Sequence, residues 1–263
     1  MQTVTSSDGT TIAFDRLGDG PPVVLVCGAS TDRSANAPLA ELLAEQFTVL
    51  NYDRRSRGDS GDAVPYAVER EVEDLGAVIA AAGGSAFVYG TSSGGVLALQ
   101  AAASGLAIGK LALWEPPFIL DESHRPPMDG VERFNEMVSA GRRGEAVEYF
   151  MTKVVGLPPE FVAQTKNAPF WQAQEALAHT LSYDATIMGD HSLPVRLAAS
   201  VSTQTVVMAG GQSPPFMRES ARALADAMPY GQYRTLEGQV HNVAPEALAL
   251  VLEEFFGAWD GIP

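Results

Sequence analysis

The chain has 263 residues, of which 46% are apolar, and it carries a formal net charge of −15 at pH 7. This length and apolar content suit one large globular unit with a sizeable core and exclude wholesale disorder. The acidic balance disfavours nucleic acid and anionic membranes as partners, because both carry negative charge themselves. Cys27 is the single cysteine, which excludes an intramolecular disulfide.

The N-terminal stretch MQTVTSSDGTTIAF has neither the basic start nor the apolar run of a secretory signal. No apolar run elsewhere approaches the ~20 residues that a membrane span needs. We therefore expect a cytoplasmic protein without membrane contact, either a monomer or a homodimer.

Strand and helix signals alternate along the first part of the chain. An Asp-Gly turn precedes an alternating segment at 10–15, which predicts a hairpin strand. Further predicted strands lie at 23–27, 47–52, 86–89 and 111–114, and predicted helices lie at 38–46, over 68–79 and from residue 93. Several of these strands are apolar on both faces, which is typical of a parallel sheet covered by helices.

This alternation stops at the sequence Glu115-Pro116-Pro117 and resumes near residue 200. Between these points the pattern predicts helices at 131–140, 144–155, 159–166 and 171–181, separated by prolines. Strands at 205–209 and 233–236 then alternate with helices at 215–228 and 245–259. The sequence thus predicts an α/β core of residues 1–116 and 201–263, with a helical cap of residues 117–200 inserted in it.

One short stretch, YGTSSGGV at residues 89–96, joins a predicted strand to a predicted helix. It matches G-x-S-x-G in the single register that puts Ser92 at the centre. A strand that turns sharply into a helix strains the central residue, exposes its hydroxyl and points helix N–H groups at it. The simpler alternative is a serine N-cap in a glycine-rich turn. A P-loop is excluded because the required lysine is absent.

A nucleophilic serine needs a base, and the chain has four histidines. His241 lies between the last predicted strand and the final helix, in a loop at the same sheet edge as Ser92. His124 and His191 fall in polar, proline-flanked segments and are expected to be exposed. His179 is expected to be a surface or packing residue. His241 is therefore the predicted base.

The loop after the first buried strand is expected to provide part of an oxyanion hole. We expect the backbone N–H of Ala29, rather than that of Gly28, to act together with the N–H of Ser93. Cys27, at the end of this strand, is interpreted as a small buried residue because no His or Lys is its evident partner.

In combination these features resemble the α/β-hydrolase superfamily over nearly the full chain. The residues that carry the resemblance are Cys27-Gly28, where many members have His-Gly, the segment YDRRSRGDS at 52–60, the turn around Ser92, and His241. The segment is similar to the pattern Y-D-x-R-G-x-G-x-S. The resemblance implies an α/β-hydrolase fold, with a mostly parallel eight-stranded sheet flanked by helices and a helical cap over the active site.

The sequence departs from the family pattern at the acid of the triad. Most members place an Asp after the strand predicted here at 205–209, where this chain has Ser213, and a serine cannot hold a permanent charge. Some members, certain dehalogenases among them, carry the acid where this chain has Glu115. The alternatives to Glu115 are Asp184 or Asp190 in the cap, Glu237, or a Ser–His dyad helped by Ser213 or water.

These residues predict a serine hydrolase that cleaves an ester, thioester or lactone of a small hydrophobic acyl substrate. Ser92 is the expected nucleophile, His241 the base and Glu115 the acid, with no metal or organic cofactor. A cofactor-free lyase, cyclase or acyltransferase would use the same residues and stays open. So does a ligand-binding protein without activity, which the missing Asp favours.

Overall fold

The computed structural model describes residues 1–258, and its strands form one eight-stranded sheet of order β1-β2-β4-β3-β5-β6-β7-β8. The strands are β1 (Gln2–Thr5), β2 (Thr11–Leu17), β3 (Pro22–Val26), β4 (Thr48–Tyr52), β5 (Ala86–Thr91), β6 (Ile108–Trp114), β7 (Gln204–Gly210) and β8 (Gly231–Leu236). The pairs β1–β2 and β2–β4 are antiparallel and the other pairs are parallel. The predicted mostly parallel, eight-stranded sheet is confirmed.

Helices cover both faces of this sheet. They are α1 (Ala37–Leu43), α2 (Val68–Ala81), α3 (Ser93–Ala103), α10 (Pro215–Ala227) and α11 (Pro245–Gly257). Successive residues of β3 alternate between the two faces: Val24 packs in the cluster that includes α2, α3 and α10, and Val23 and Leu25 pack in the cluster that includes α1 and α11. This two-sided burial explains why the central strands are apolar throughout.

Six helices lie between β6 and β7. They are α4 (Gly130–Ser139), α5 (Arg143–Tyr149), α6 (Pro159–Thr165), α7 (Pro169–Leu177), α8 (Leu181–Met188) and α9 (Val195–Ser200). We call residues 117–200 the helical insertion. It has a buried cluster of its own, with Phe134, Val147 and Trp171 among its members. Within residues 1–258, no helix combines the length and the apolar character needed to cross a membrane.

The elements differ from the predictions where apolar periodicity is weak. Strand β1 is short and largely exposed, and it has no apolar signal. Helix α8 buries Ser182 and Asp184 as well as its apolar residues, so it presents no apolar stripe. The predicted helix 171–181 instead ends at Leu177, before one 3₁₀ turn. The predicted end of the last helix, Trp259, lies outside the described residues.

Candidate active site

The turn between β5 and α3 holds Ser92 with φ 54° and ψ −127°, a backbone conformation that residues other than glycine rarely adopt. The glycines at positions 90 and 94, on either side of it, are required because no room is left there for a side chain. A Cβ atom at position 90 would lie 2.6 Å from the Gly94 carbonyl oxygen, and one at position 94 would lie 2.3 Å from the Cys27 carbonyl oxygen. The Ser92 side chain forms no capping hydrogen bond with α3, so the simple N-cap interpretation does not describe it.

The histidine loop and the end of β6 meet beside this turn. The Glu115 Oε2 atom lies 2.7 Å from His241 Nδ1, and Glu115 Oε1 accepts a hydrogen bond of 2.8 Å from the Gly210 N–H. The Trp114 indole N–H donates to the His241 carbonyl oxygen at 2.8 Å. Glu115 is fully buried, whereas the His241 side chain is 41% exposed. The strand end therefore fixes both the carboxylate and the backbone of the histidine it binds.

Hydrogen bonds keep Glu115 ionised in spite of its burial. Burial alone would raise its pKa, but the hydrogen bond with His241 and the contributions of Ser213 and the Gly210 N–H lower the pKa below the ordinary 4.5. Ser213 is buried, and its hydroxyl forms no hydrogen bond of ordinary geometry within residues 1–258. The nearby Ser213 hydroxyl therefore lowers the pKa of Glu115 less than His241 does.

The other candidate acids lie elsewhere. Asp184 binds Arg54 and Arg57, at 2.9 and 2.8 Å. Asp190 is about half exposed and lies 3.7 Å from Arg125, and Glu237 is exposed. Of the four carboxylates considered from the sequence, the structure thus brings Glu115 to His241.

The two expected oxyanion donors, Ala29 and Ser93, both line the cavity at Ser92. Ser93 is the first residue of α3, where a backbone N–H has no partner in the helix. Among residues 1–258, neither of these two N–H groups has a hydrogen-bond acceptor. Gly28 lets the loop approach, since a Cβ atom there would lie 3.2 Å from the Ser92 Cβ. Both N–H groups are therefore available to a ligand.

The cavity has a volume of about 530 Å³ and is lined by Ser92, His241 and the helical insertion. Its apolar walls include Ile119, Met128, Phe134, Phe150, Val154 and Met188. Within the described part of the chain, no group of three or more His, Cys, Asp or Glu is placed to hold a metal ion.

The expectation of an exposed His191 is wrong. Its exposed fraction is 9%, and it lines the same cavity. A left-handed backbone, with φ 59°, turns the chain inward there, and its N–H donates to the Met188 carbonyl oxygen. Burial lowers the pKa of His191 from 6.5, which favours a neutral ring. His124 is exposed, and His179 Nε2 lies 3.0 Å from the Ser56 carbonyl oxygen.

Sequence reasoning missed a cluster of buried arginines next to the site. Arg54 forms two hydrogen bonds with Glu71, of 2.7 and 2.9 Å, besides its bond with Asp184. Arg57 reaches the Gly28 carbonyl oxygen. The available signal was three arginines within the four residues 54–57, but neither their burial nor their partners could be named from the sequence.

Comparisons with known proteins agree with this architecture. An alpha/beta hydrolase from Sphaerobacter thermophilus DSM 20745, a solved structure, is 58% identical, with 97% of this chain and 100% of that chain covered and a TM-score of 0.92. The uncharacterized hydrolase YraK of Bacillus subtilis (strain 168) is 25% identical over 233 residues, 84% of this chain and 82% of YraK.

A malate-bound thermophilic esterase from Thermogutta terrifontis is 22% identical over 97% of both chains, with a TM-score of 0.72, which shows the fold alone. The model of the alpha/beta hydrolase family matches residues 23–250. Since that match spans most of the sheet and the whole helical insertion, the chain belongs to the alpha/beta hydrolase family.

Proposed function

We propose that the protein is a serine hydrolase that cleaves an ester, thioester or lactone through an acyl-enzyme on Ser92. The observation that carries the proposal is the 2.7 Å contact between Glu115 and His241 beside the strained serine. A buried carboxylate on Nδ1 leaves Nε2 as the ring nitrogen that serves the reaction. The contact also weakens the alternative of a ligand-binding protein without activity. That alternative depended on Ser213, which stands where most family members have the acid.

The reaction has two halves. His241 takes the Ser92 hydroxyl proton while the oxygen attacks the acyl carbonyl, and the Ala29 and Ser93 N–H groups stabilise the oxyanion. The C–O or C–S bond to the leaving group then breaks, and His241 protonates that group. In the second half, His241 takes a proton from water, whose oxygen attacks the acyl carbonyl. The bond between the acyl carbon and Ser92 Oγ then breaks, His241 returns the proton to Ser92, and the acid leaves. Glu115 stabilises the imidazolium in both halves.

The walls of the cavity support an apolar acyl group. Side chains of the helical insertion, such as Phe150 and Val154, face the same space as Ser92. A cavity of about 530 Å³ suits a small or medium ligand held mainly by apolar contact. We propose that the insertion serves as the cap over this site.

The test is turnover of p-nitrophenyl esters of graded chain length by the wild type and Ser92→Ala. We expect turnover by the wild type, its loss in Ser92→Ala, and covalent labelling of Ser92 by a fluorophosphonate. Lys166→Ala, which changes a surface ion pair with Glu148, serves as the matched control and should keep wild-type turnover. Equal turnover by wild type and Ser92→Ala, or no labelling at Ser92, contradicts the proposal.

A further inference from the structure

Asp184 is a buried carboxylate of helix α8, in the helical insertion, and the proposed reaction gives it no role. Its Oδ1 atom accepts hydrogen bonds from Arg54, at 2.9 Å, and from the Ser93 hydroxyl, at 2.8 Å. Its Oδ2 atom accepts one from Arg57, at 2.8 Å. One carboxylate of the insertion thus binds three residues of the core, two of which reach the expected oxyanion hole.

The contact through Arg57 ends at the peptide bond that contains the first oxyanion donor. Arg57 Nη2 binds Asp184, and Arg57 Nη1 donates to the Gly28 carbonyl oxygen. This carbonyl and the Ala29 N–H belong to one trans peptide unit, so they point in opposite directions. A guanidinium that holds the carbonyl therefore directs the N–H away from itself and polarises it as a donor.

The contact through Ser93 concerns the second donor. The Ser93 hydroxyl binds Asp184, and Ser93 is one of the residues that line the cavity. Anchoring this side chain fixes the first residue of α3 and the direction of its N–H. The geometry therefore joins both donors, one in the loop after β3 and one at the start of α3, to the two oxygens of a single carboxylate.

We propose that Asp184 is a positioning residue that holds the N–H groups of Ala29 and Ser93 in register, through Arg57 and through the Ser93 hydroxyl. Stabilisation of the oxyanion then requires the helical insertion to be docked on the core, because Asp184 belongs to the insertion. The inference rests on the proposed serine hydrolase function and adds to it a buried residue that acts through Arg57 and the Ser93 hydroxyl.

The neighbouring arginine provides a matched control. Arg55 occupies the arginine position of Y-D-x-R-G-x-G-x-S, whereas Arg54 and Arg57 occupy variable positions of that pattern. Arg55 binds the buried Asp74 at 2.7 and 2.8 Å. Within residues 1–258, Arg55 forms no hydrogen bond with the loop that carries Ala29 or with Ser93. Asp74→Asn thus damages an equally buried aspartate–arginine pair away from the oxyanion hole.

The experiment compares Asp184→Asn with Asp74→Asn in steady-state turnover of a short p-nitrophenyl ester, well below the melting temperature of each. In Asp184→Asn we expect kcat to fall by about tenfold or more with KM within about twofold of wild type, because the oxyanion forms after the substrate binds. In Asp74→Asn we expect kcat within about twofold of wild type.

A second variant serves if Asp184→Asn does not fold. Ser93→Ala removes the hydroxyl and keeps both the backbone N–H and the ion pairs of Asp184. We expect its kcat to fall about threefold or more. We also expect a trifluoromethyl ketone, which forms an oxyanion adduct with serine, to bind it more weakly by the same factor.

A readout without turnover separates this inference from the proposed function. In ¹⁵N spectra of the intact protein, we expect the amide signals of Ala29 and Ser93 to shift in Asp184→Asn and to stay in place in Asp74→Asn. If the wild type shows no Ser92-dependent turnover, the proposed function fails, and these signals alone decide the role of Asp184. The inference is overturned if folded Asp184→Asn keeps both amide signals, if it keeps wild-type kcat, or if Asp74→Asn loses as much kcat.

Discussion

Glu115, at the end of β6, and Asp184, in α8, are both buried carboxylates next to the active site, yet one binds a histidine and the other binds two arginines. Glu115 binds a histidine, the base of the proposed reaction. Asp184 binds two guanidinium groups, whose charge is permanent. Both acids were candidates for the triad, and burial does not distinguish them.

Their partners explain this difference in role. A carboxylate beside the histidine stabilises the imidazolium that forms in the proposed reaction. A carboxylate between arginines is neutralised from the start, so its contribution is to hold groups in place. Burial alone would raise the pKa of Asp184, but the charges of Arg57 and Arg54 outweigh it and keep the pKa below the ordinary 3.8. The comparison implies that loss of Glu115 lowers the rate more than loss of Asp184 does, and that loss of Asp184 lowers the stability more than loss of Glu115 does.

The largest effect is expected from Glu115→Gln, which removes the charge and keeps the size. A neutral amide on His241 Nδ1 does not stabilise the imidazolium, so kcat should fall about 10³-fold, ~4 kcal/mol in the activation barrier. Steady-state kinetics with a p-nitrophenyl ester measure it, with Ser92→Ala as the background rate. A loss of less than about tenfold would assign the acid elsewhere.

The converse effect is expected in the stability of Asp184→Asn. This change leaves Arg54 paired with Glu71 and leaves Arg57 without a carboxylate partner among residues 1–258, and breaking such buried pairs costs about 3–5 kcal/mol of unfolding free energy. Urea unfolding measures it, beside Glu115→Gln, which should lose about 1–2 kcal/mol because Gln can still accept from the Gly210 N–H. Equal losses in the two variants would remove the proposed contrast between the acids.

A smaller effect is expected when the acid is moved to the position of Ser213. Ser213 is buried next to Glu115, at the place where most family members have an Asp. Adding Ser213→Asp to Glu115→Gln should recover at least about tenfold in kcat, because a carboxylate again faces His241. The single variant Ser213→Asp is the control, and absence of recovery would show that a carboxylate at position 213 does not serve His241 as the acid.

The smallest expected effect is on the pH dependence of stability. The pKa of each acid is lowered on folding, so each contributes stability that is complete above its ordinary pKa, 4.5 for Glu115 and 3.8 for Asp184. That stability is lost as pH falls through the folded values. Urea unfolding between pH 6 and 3 should therefore show a shallower decline in Glu115→Gln than in wild type. Parallel curves would contradict a carboxylate stabilised by folding.

Much of the molecule follows from local sequence patterns. The apolar runs predict the central strands, since both faces of those strands are buried. The glycine spacing around Ser92 selects that serine, because only glycine fits at 90 and 94. The position of His241 follows from the rule that loops after parallel strands meet at one sheet edge. In each case the cause lies within a few residues or in a general property of sheets.

Only the tertiary structure decided the partners of the buried charges. The bonds of Glu115 with His241 and of Arg54 with Asp184 join residues 126 and 130 positions apart. Helix α8, which carries Asp184, was itself unpredicted because its polar residues are buried with its apolar ones. Such pairs arise because a charge in the core must be matched wherever the fold brings an opposite charge near it. The sequence by itself therefore determined the central strands and the turns that carry Ser92 and His241, and the fold decided which acid binds each partner.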